Sequence, residues 1–155
     1  MANEVEAKLA ALGLTLPQPA APAANYVPWT LANGIVYVAG QLPFKDGKLV
    51  VTGKLGDTVS LEEGQEAARW CAMNILAHVR NACGGDLGRV KSCLRLGGFV
   101  ACLPTFTQHP AVVNGASDLM VAALGDAGRH ARFAVGVAVL PFDAAVEIDA
   151  TFEIR

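Results

Sequence analysis

Hydrophobic residues recur along this chain with two periods, and the switches between them divide it into elements. From Arg132 to Ile154 the period is two. Val135, Val137 and Val139 alternate with Ala134, Gly136 and Ala138. After a turn at Pro141 to Ala144, Val146, Ile148, Ala150, Phe152 and Ile154 alternate with Glu147, Asp149, Thr151 and Glu153. This pattern predicts two half-buried strands joined by a short turn. Arg132 has the parity of the small residues, so one face of the first strand starts with a guanidinium and continues with little bulk. The second strand puts carboxylates on its polar face. A cation, a nearby carboxylate and spare room suit a small anionic molecule.

Earlier in the chain the pattern changes. Residues 3–12 read as a short amphipathic helix with Val5, Leu9 and Leu12 on one stripe, ended by Gly13. The run Pro17 to Pro22 cannot continue a helix and reads as an extended connector. Val27 to Ala32 and Ile35 to Ala39 flank Asn33-Gly34, the favoured two-residue hairpin turn. Asp46-Gly47 is a second turn, with Lys48 to Thr52 as a third strand. Ser60-Leu-Glu-Glu63 is a capping box that opens a helix to about Cys83, with Ala68, Cys71, Ile75, Val79 and Cys83 on one face. Val90 to Ala101 reads as a long strand, in which Gly97-Gly98 marks a bulge or a close backbone contact. Pro110 suits the first turn of another helix, whose apolar stripe is Val113, Ala116, Met120 and Ala123.

The order helix, three strands, helix, strand, helix, two strands predicts an α+β fold, a mixed sheet with two helices packed on one face. All 155 residues are expected to form one domain, with residues 1–24 as an N-terminal helix and Pro-rich connector. No third long helix is available for the other sheet face. Apolar residues make up 53% of the chain and charged ones only 17%, so association of subunits is the expected cover.

Charge narrows the partners. The formal net charge is −2 and no run of Lys or Arg occurs, which argues against a dedicated nucleic-acid binder. The longest apolar run, around Phe133 to Phe142, is too short to span a bilayer, and the N-terminus has no secretory pattern. A soluble cytoplasmic protein is expected. Cys71, Cys83, Cys93 and Cys102 form no Cys-x-x-Cys pair and read as reduced thiols, with Cys102 a small hydrophobe ahead of a nucleophile. His78, His109 and His130 lack ligand spacing. His78 is placed on the polar side of its helix, and His130 reads as an exposed loop residue ahead of one that lines a pocket rim beside Arg132.

Three segments resemble one family. Ile35-Val-Tyr-Val-Ala-Gly-Gln-Leu-Pro43 is similar to a strand ending in Ser-Gly-Gln-Ile/Leu-Pro. Arg132 to Pro141 is similar to Arg-x-x-Val-x-Val-x-x-Leu-Pro, and Val146-Glu-Ile-Asp149 to Val-Glu-Ile-Glu. On these motifs the chain resembles the YjgF/RidA enamine/imine deaminases from about Tyr26 onward, in a longer subgroup with an N-terminal helix. The resemblance implies a chorismate-mutase-like fold and a homotrimer with a central barrel and pockets between subunits. It also implies hydrolysis of reactive enamines and imines such as 2-aminoacrylate to 2-keto acids and ammonia, with no metal or organic cofactor. Carried over by position, Arg132 grips the substrate carboxylate and Glu147 positions water. Tyr26 stands at the pocket mouth, and Asn114 matches a helix asparagine. Ala39 departs from the pattern, because it replaces a serine and cannot donate a hydroxyl hydrogen bond.

Three functions follow. The first is the deaminase. The second is a regulatory protein that binds small carboxylates or keto acids without turnover, which Ala39 favours. The third is an endoribonuclease or translation inhibitor, a label some relatives carry and the acidic balance opposes.

Overall fold

In the computed structural model, residues 4–19, 21 and 24–155 are described. The elements are α1 (Glu4–Ala11), β1 (Trp29–Ala32), β2 (Ile35–Gln41), β3 (Phe44–Lys45), β4 (Lys48–Leu49), α2 (Leu61–Ala82), β5 (Val90–Ala101), α3 (His109–Leu124), β6 (Ala131–Val137) and β7 (Val146–Ile154). Of the connector expected over 17–22, positions 20 and 22 lie outside the described residues, and 14–19 has no regular structure.

The turns form where the sequence places them. Asn33 and Gly34 take φ of 51° and 78°, as do Asp46 and Gly47, a left-handed pair that matches the twist of a tight hairpin. The first pair joins β1 to β2. The second joins β3 to β4 in a small ribbon of its own, so the third predicted strand does not extend the main sheet. Ser60 caps α2, its Oγ accepting from the Glu63 backbone N–H at 3.1 Å. Along α2, Ala68, Cys71, Ile75, Val79 and Cys83 are all buried.

The main sheet has the order β1-β2-β7-β5-β6. Here the structure corrects the sequence reading. The last two strands are not a hairpin pair, because β5 lies between them. β7 is antiparallel to both β2 and β5, and β6 runs parallel to β5 on the sheet edge. The chain closing the sheet therefore leaves β6 at the rim, turns through Pro141–Asp143, and enters the middle.

Helices α2 and α3 pack together, with α2 against β2 and β7 and α3 against β5 and β6. The core lies between these two layers. It is filled by Val36, Val38, Leu96, Val100, Val146, Ile148 and Phe152 from the sheet and by Met73, Ile75, Leu76, Val113 and Met120 from the helices. α1 packs on α3, and Glu6 reaches Arg80 at 2.7 Å. Leu12, assigned to the buried stripe of α1, is instead 49% exposed. His78 is also misplaced by the sequence reading. It is buried, since α2 is enclosed by more than the sheet, and burial lowers its pKa.

Among the described residues, no helix covers the second sheet face. Tyr37 and Val135 are exposed there. The valines of β6 thus point away from the helices, opposite to the usual inward preference. Among the described residues, no helix is long and apolar enough to cross a membrane.

Candidate functional site

Arg132 begins β6 on the helix side of the sheet edge. Its Nη1 donates to Ser117 Oγ at 2.9 Å and its Nη2 to the Pro110 carbonyl at 3.1 Å. Both acceptors belong to α3 and both are neutral. Arg69, Arg80, Arg95 and Arg129 each sit within ion-pair reach of a carboxylate. Arg132 has no such partner among the described residues, so its charge stays uncompensated. Asn114 is exposed on α3, one turn after Pro110 and three residues before Ser117, which puts it on the helix face Arg132 crosses.

Glu147 sits on the other sheet face. A Cβ on Gly40 would collide with its carboxyl group, so glycine there is a consequence of close approach. The Glu147 pKa is raised, first by burial and then by the Asp149 charge. Asp149 accepts from Arg95 Nη1 at 3.4 Å, and the Arg95 guanidinium lies 4.9 Å from the Phe133 ring. Ala39 is half-buried at an irregularity between Val38 and Gln41, with its N–H donated to the Pro28 carbonyl at 2.9 Å. Tyr26, two residues ahead of Pro28, is 59% exposed.

The five predicted residues thus fall into two groups. Arg132 and Asn114 flank the α3–β6 edge. Glu147 and Ala39 stand on the neighbouring strands β7 and β2, and Tyr26 lies ahead of β1. Register separates the groups: Arg132 stands beside Leu96 and Glu147 beside Phe99, with β5 between β6 and β7. The two side chains leave opposite faces of the sheet. The sequence spacing suggests neighbouring strands, and the structure does not bring them together within one protomer. Two clefts of about 370 Å³ each lie elsewhere, between α2 and α3 around Gln65 and Asp118, and between α1 and α2 around Leu14 and Arg80. Neither is lined by any of the five residues.

Sequence reasoning missed one polar group, Ser117, and preferred an exposed loop to a pocket rim for another, the half-buried His130. Ser117 and His130 are bonded to each other at 2.8 Å, and His130 Nδ1 lies 2.6 Å from the Gly128 carbonyl oxygen. The available signal was position: His130 has the strand parity of Arg132, and Ser117 is seven residues from Pro110 on the same helix face. Cys102 is only half-buried, with Sγ 3.4 Å from His109 Nε2. Burial raises the Cys102 pKa, which opposes a thiolate at neutral pH. No cluster of three His, Cys, Asp or Glu among the described residues is placed to hold a metal ion.

A mixed sheet with two helices on one face, one bare face and an unpaired arginine on the edge defines a YjgF/chorismate-mutase-like α+β protein. The family described as "YjgF/chorismate_mutase-like, putative endoribonuclease" matches residues 6–152, and the chain belongs to it. It is 47% identical to Protein TCP17 of Trypanosoma cruzi, over 99% of this chain and 96% of that one. The crystal structure of Atu1372 from Agrobacterium tumefaciens, a protein of unknown function, superposes with a TM-score of 0.93 at 50% identity, covering 97% of this chain and 92% of that one. A Shewanella oneidensis MR-1 structure gives a TM-score of 0.94 at 35% identity, covering 98% and 100%.

Proposed function

We propose that this protein hydrolyses small, reactive enamine or imine acids of the 2-aminoacrylate type to 2-keto acids and ammonia, in the cytoplasm. Its site is completed between subunits of a homotrimer whose bare sheet faces form a central barrel. The observation that carries the reading is the Arg132 guanidinium, held in place by neutral acceptors and left with a net charge to offer a carboxylate. A planar fork suits a carboxylate bidentately.

Glu147 supplies the second function. Its raised pKa suits a group that takes a proton from attacking water and returns it to the leaving nitrogen. Water adds to the imine carbon of the bound acid, a carbinolamine forms, and ammonia leaves as the carbonyl closes. The two groups leave opposite sheet faces of one protomer, so a shared substrate needs Arg132 from one subunit and Glu147 from the next. Tyr26 and Asn114 border the two halves. Two more distant structures share the fold, RidA of a Psychrobacter species at 26% identity and E. coli TdcF at 22%, and the second was solved with bound serine, a small amino acid of the kind the proposed site would take.

Ala39 favours a second reading, a keto-acid-binding regulator without turnover, because a methyl group cannot orient water. The two are separated by keto-acid release from an imine generated in situ by an amino-acid oxidase, alongside calorimetry with 2-oxobutyrate. The deaminase releases product faster than the uncatalysed reaction and loses 2-oxobutyrate binding on Arg132→Ala. Binding without accelerated release selects the regulator, and Ala39→Ser is then expected to confer turnover. Arg132→Ala with unchanged affinity rejects the site.

A further inference from the structure

Behind Arg132 runs a chain of hydrogen bonds from the Gly128 carbonyl through His130 and Ser117. The Gly128 carbonyl can only accept, so His130 carries its proton on Nδ1, 2.6 Å away. In the tautomer that carries its single proton on Nδ1, Nε2 is an acceptor and takes the Ser117 hydroxyl proton across 2.8 Å. With its hydrogen committed to His130, Ser117 Oγ turns a lone pair to Arg132 Nη1 at 2.9 Å. The other end of the guanidinium is tied to the Pro110 carbonyl at 3.1 Å. The anchor itself is rigid: a Cβ on Gly128 would overlap the Met120 carbonyl, so this loop runs flush against α3.

We propose that Ser117 and His130 are positioning residues that hold the Arg132 guanidinium in its carboxylate-gripping orientation. This rests on the role given to Arg132 above. The alternative use of a Ser–His pair is nucleophilic catalysis. Donation from Arg132 opposes it, because it occupies the oxygen that a nucleophile presents. A flexible arginine loses rotamer freedom when it closes on an acid; an arginine fixed beforehand has already lost it, and binding gains accordingly. No charge is spent on the fixing, since hydroxyl and carbonyl are neutral and the net positive charge remains for the ligand.

The test compares wild type, Ser117→Ala, Ser117→Thr and His130→Leu. Order of the Arg132 side chain is read from ¹⁵N relaxation of its Nε–Hε group in the ligand-free protein. Function is read from KM and kcat with oxidase-generated imine and from 2-oxobutyrate affinity. The wild-type Nε–Hε is expected to be rigid, mobile in Ser117→Ala and His130→Leu, and rigid again in Ser117→Thr. Ser117→Ala is expected to weaken 2-oxobutyrate binding and raise KM about tenfold with kcat nearly unchanged. A guanidinium as rigid in Ser117→Ala as in wild type overturns the proposal. So does lost kcat with unchanged KM, the mark of a nucleophile. If wild type neither binds 2-oxobutyrate nor turns over imine, the deaminase reading and its regulatory alternative fail, and the relaxation data still decide whether Ser117 and His130 fix Arg132.

Discussion

On the helix side of β7, Val146, Ile148, Ala150, Phe152 and Ile154 are all buried, and nothing polar interrupts them. On the other side of the same strand stand Glu147, Asp149, Thr151 and Glu153, each only half-buried. The first face is an ordinary core, built from area removed from water and close packing. The second mixes carboxylates with the exposed Tyr37 and Val135. A monomer gains little by presenting that mixture to solvent. The contrast shows that one strand has two unlike faces, a sealed core on its even positions and a half-buried polar row on its odd ones, and the proposed function assigns association and chemistry to the second.

Unequal responses of the two faces to substitution test this division. Phe152→Ala opens a cavity in the sealed core and should cost about 3–5 kcal/mol in chemical denaturation. Phe133→Ala, an open-face truncation of the same ring, should cost about 1–2 kcal/mol. Equal costs would erase the distinction. Val135→Asp places a charge on the bare face without touching the helices. It should leave the secondary structure intact by circular dichroism while light scattering reports loss of the oligomer. An assembly that tolerates the aspartate is not formed through this face.

A smaller effect is expected with pH. Burial holds the His78 pKa below its ordinary value of 6.5. The folded chain then binds fewer protons at this site than the unfolded chain, so stability is full above that value and declines as pH falls below it. Glu147 has the opposite sign. Its raised pKa means that ionisation costs the folded state stability as pH rises from the ordinary 4.5 through the folded value. His78→Leu should flatten the acid-side decline in unfolding free energy between about pH 7 and pH 5. An unchanged slope would assign the decline to other groups.

Elements fixed by local signals were legible in the sequence. The Asn33-Gly34 turn, the Ser60 cap and the strand from Val90 to Ala101 all stand where the pattern puts them. Strand order was not legible, because β6 and β7 are adjacent in sequence and their separation by β5 is a long-range choice. His78 was misplaced because a one-stripe helix was assumed, whereas α2 also buries Ala72, Met73, Leu76 and Ala77. For the candidate site, the motifs pointed to Arg132 and Glu147. That they leave opposite sheet faces follows from the register of β6 and β7 on β5, where Arg132 stands beside Leu96 and Glu147 beside Phe99, and register was not legible in the sequence. Ser117 was invisible because a serine in a helix is ordinary, and His130, readable as a pocket-rim residue from its place two before Arg132, showed no partner until the third dimension joined the two.

Subunit complementation tests the central claim most directly. Arg132→Ala and Glu147→Gln subunits, each nearly inactive alone, are unfolded together, refolded at equal concentrations and assayed with oxidase-generated imine. If each site draws its arginine from one subunit and its glutamate from the next, every mixed trimer has one intact site, and about a quarter of wild-type activity should return. Mixed oligomers, verified by mass spectrometry, that stay as inactive as their parents would contradict a site shared across the subunit boundary.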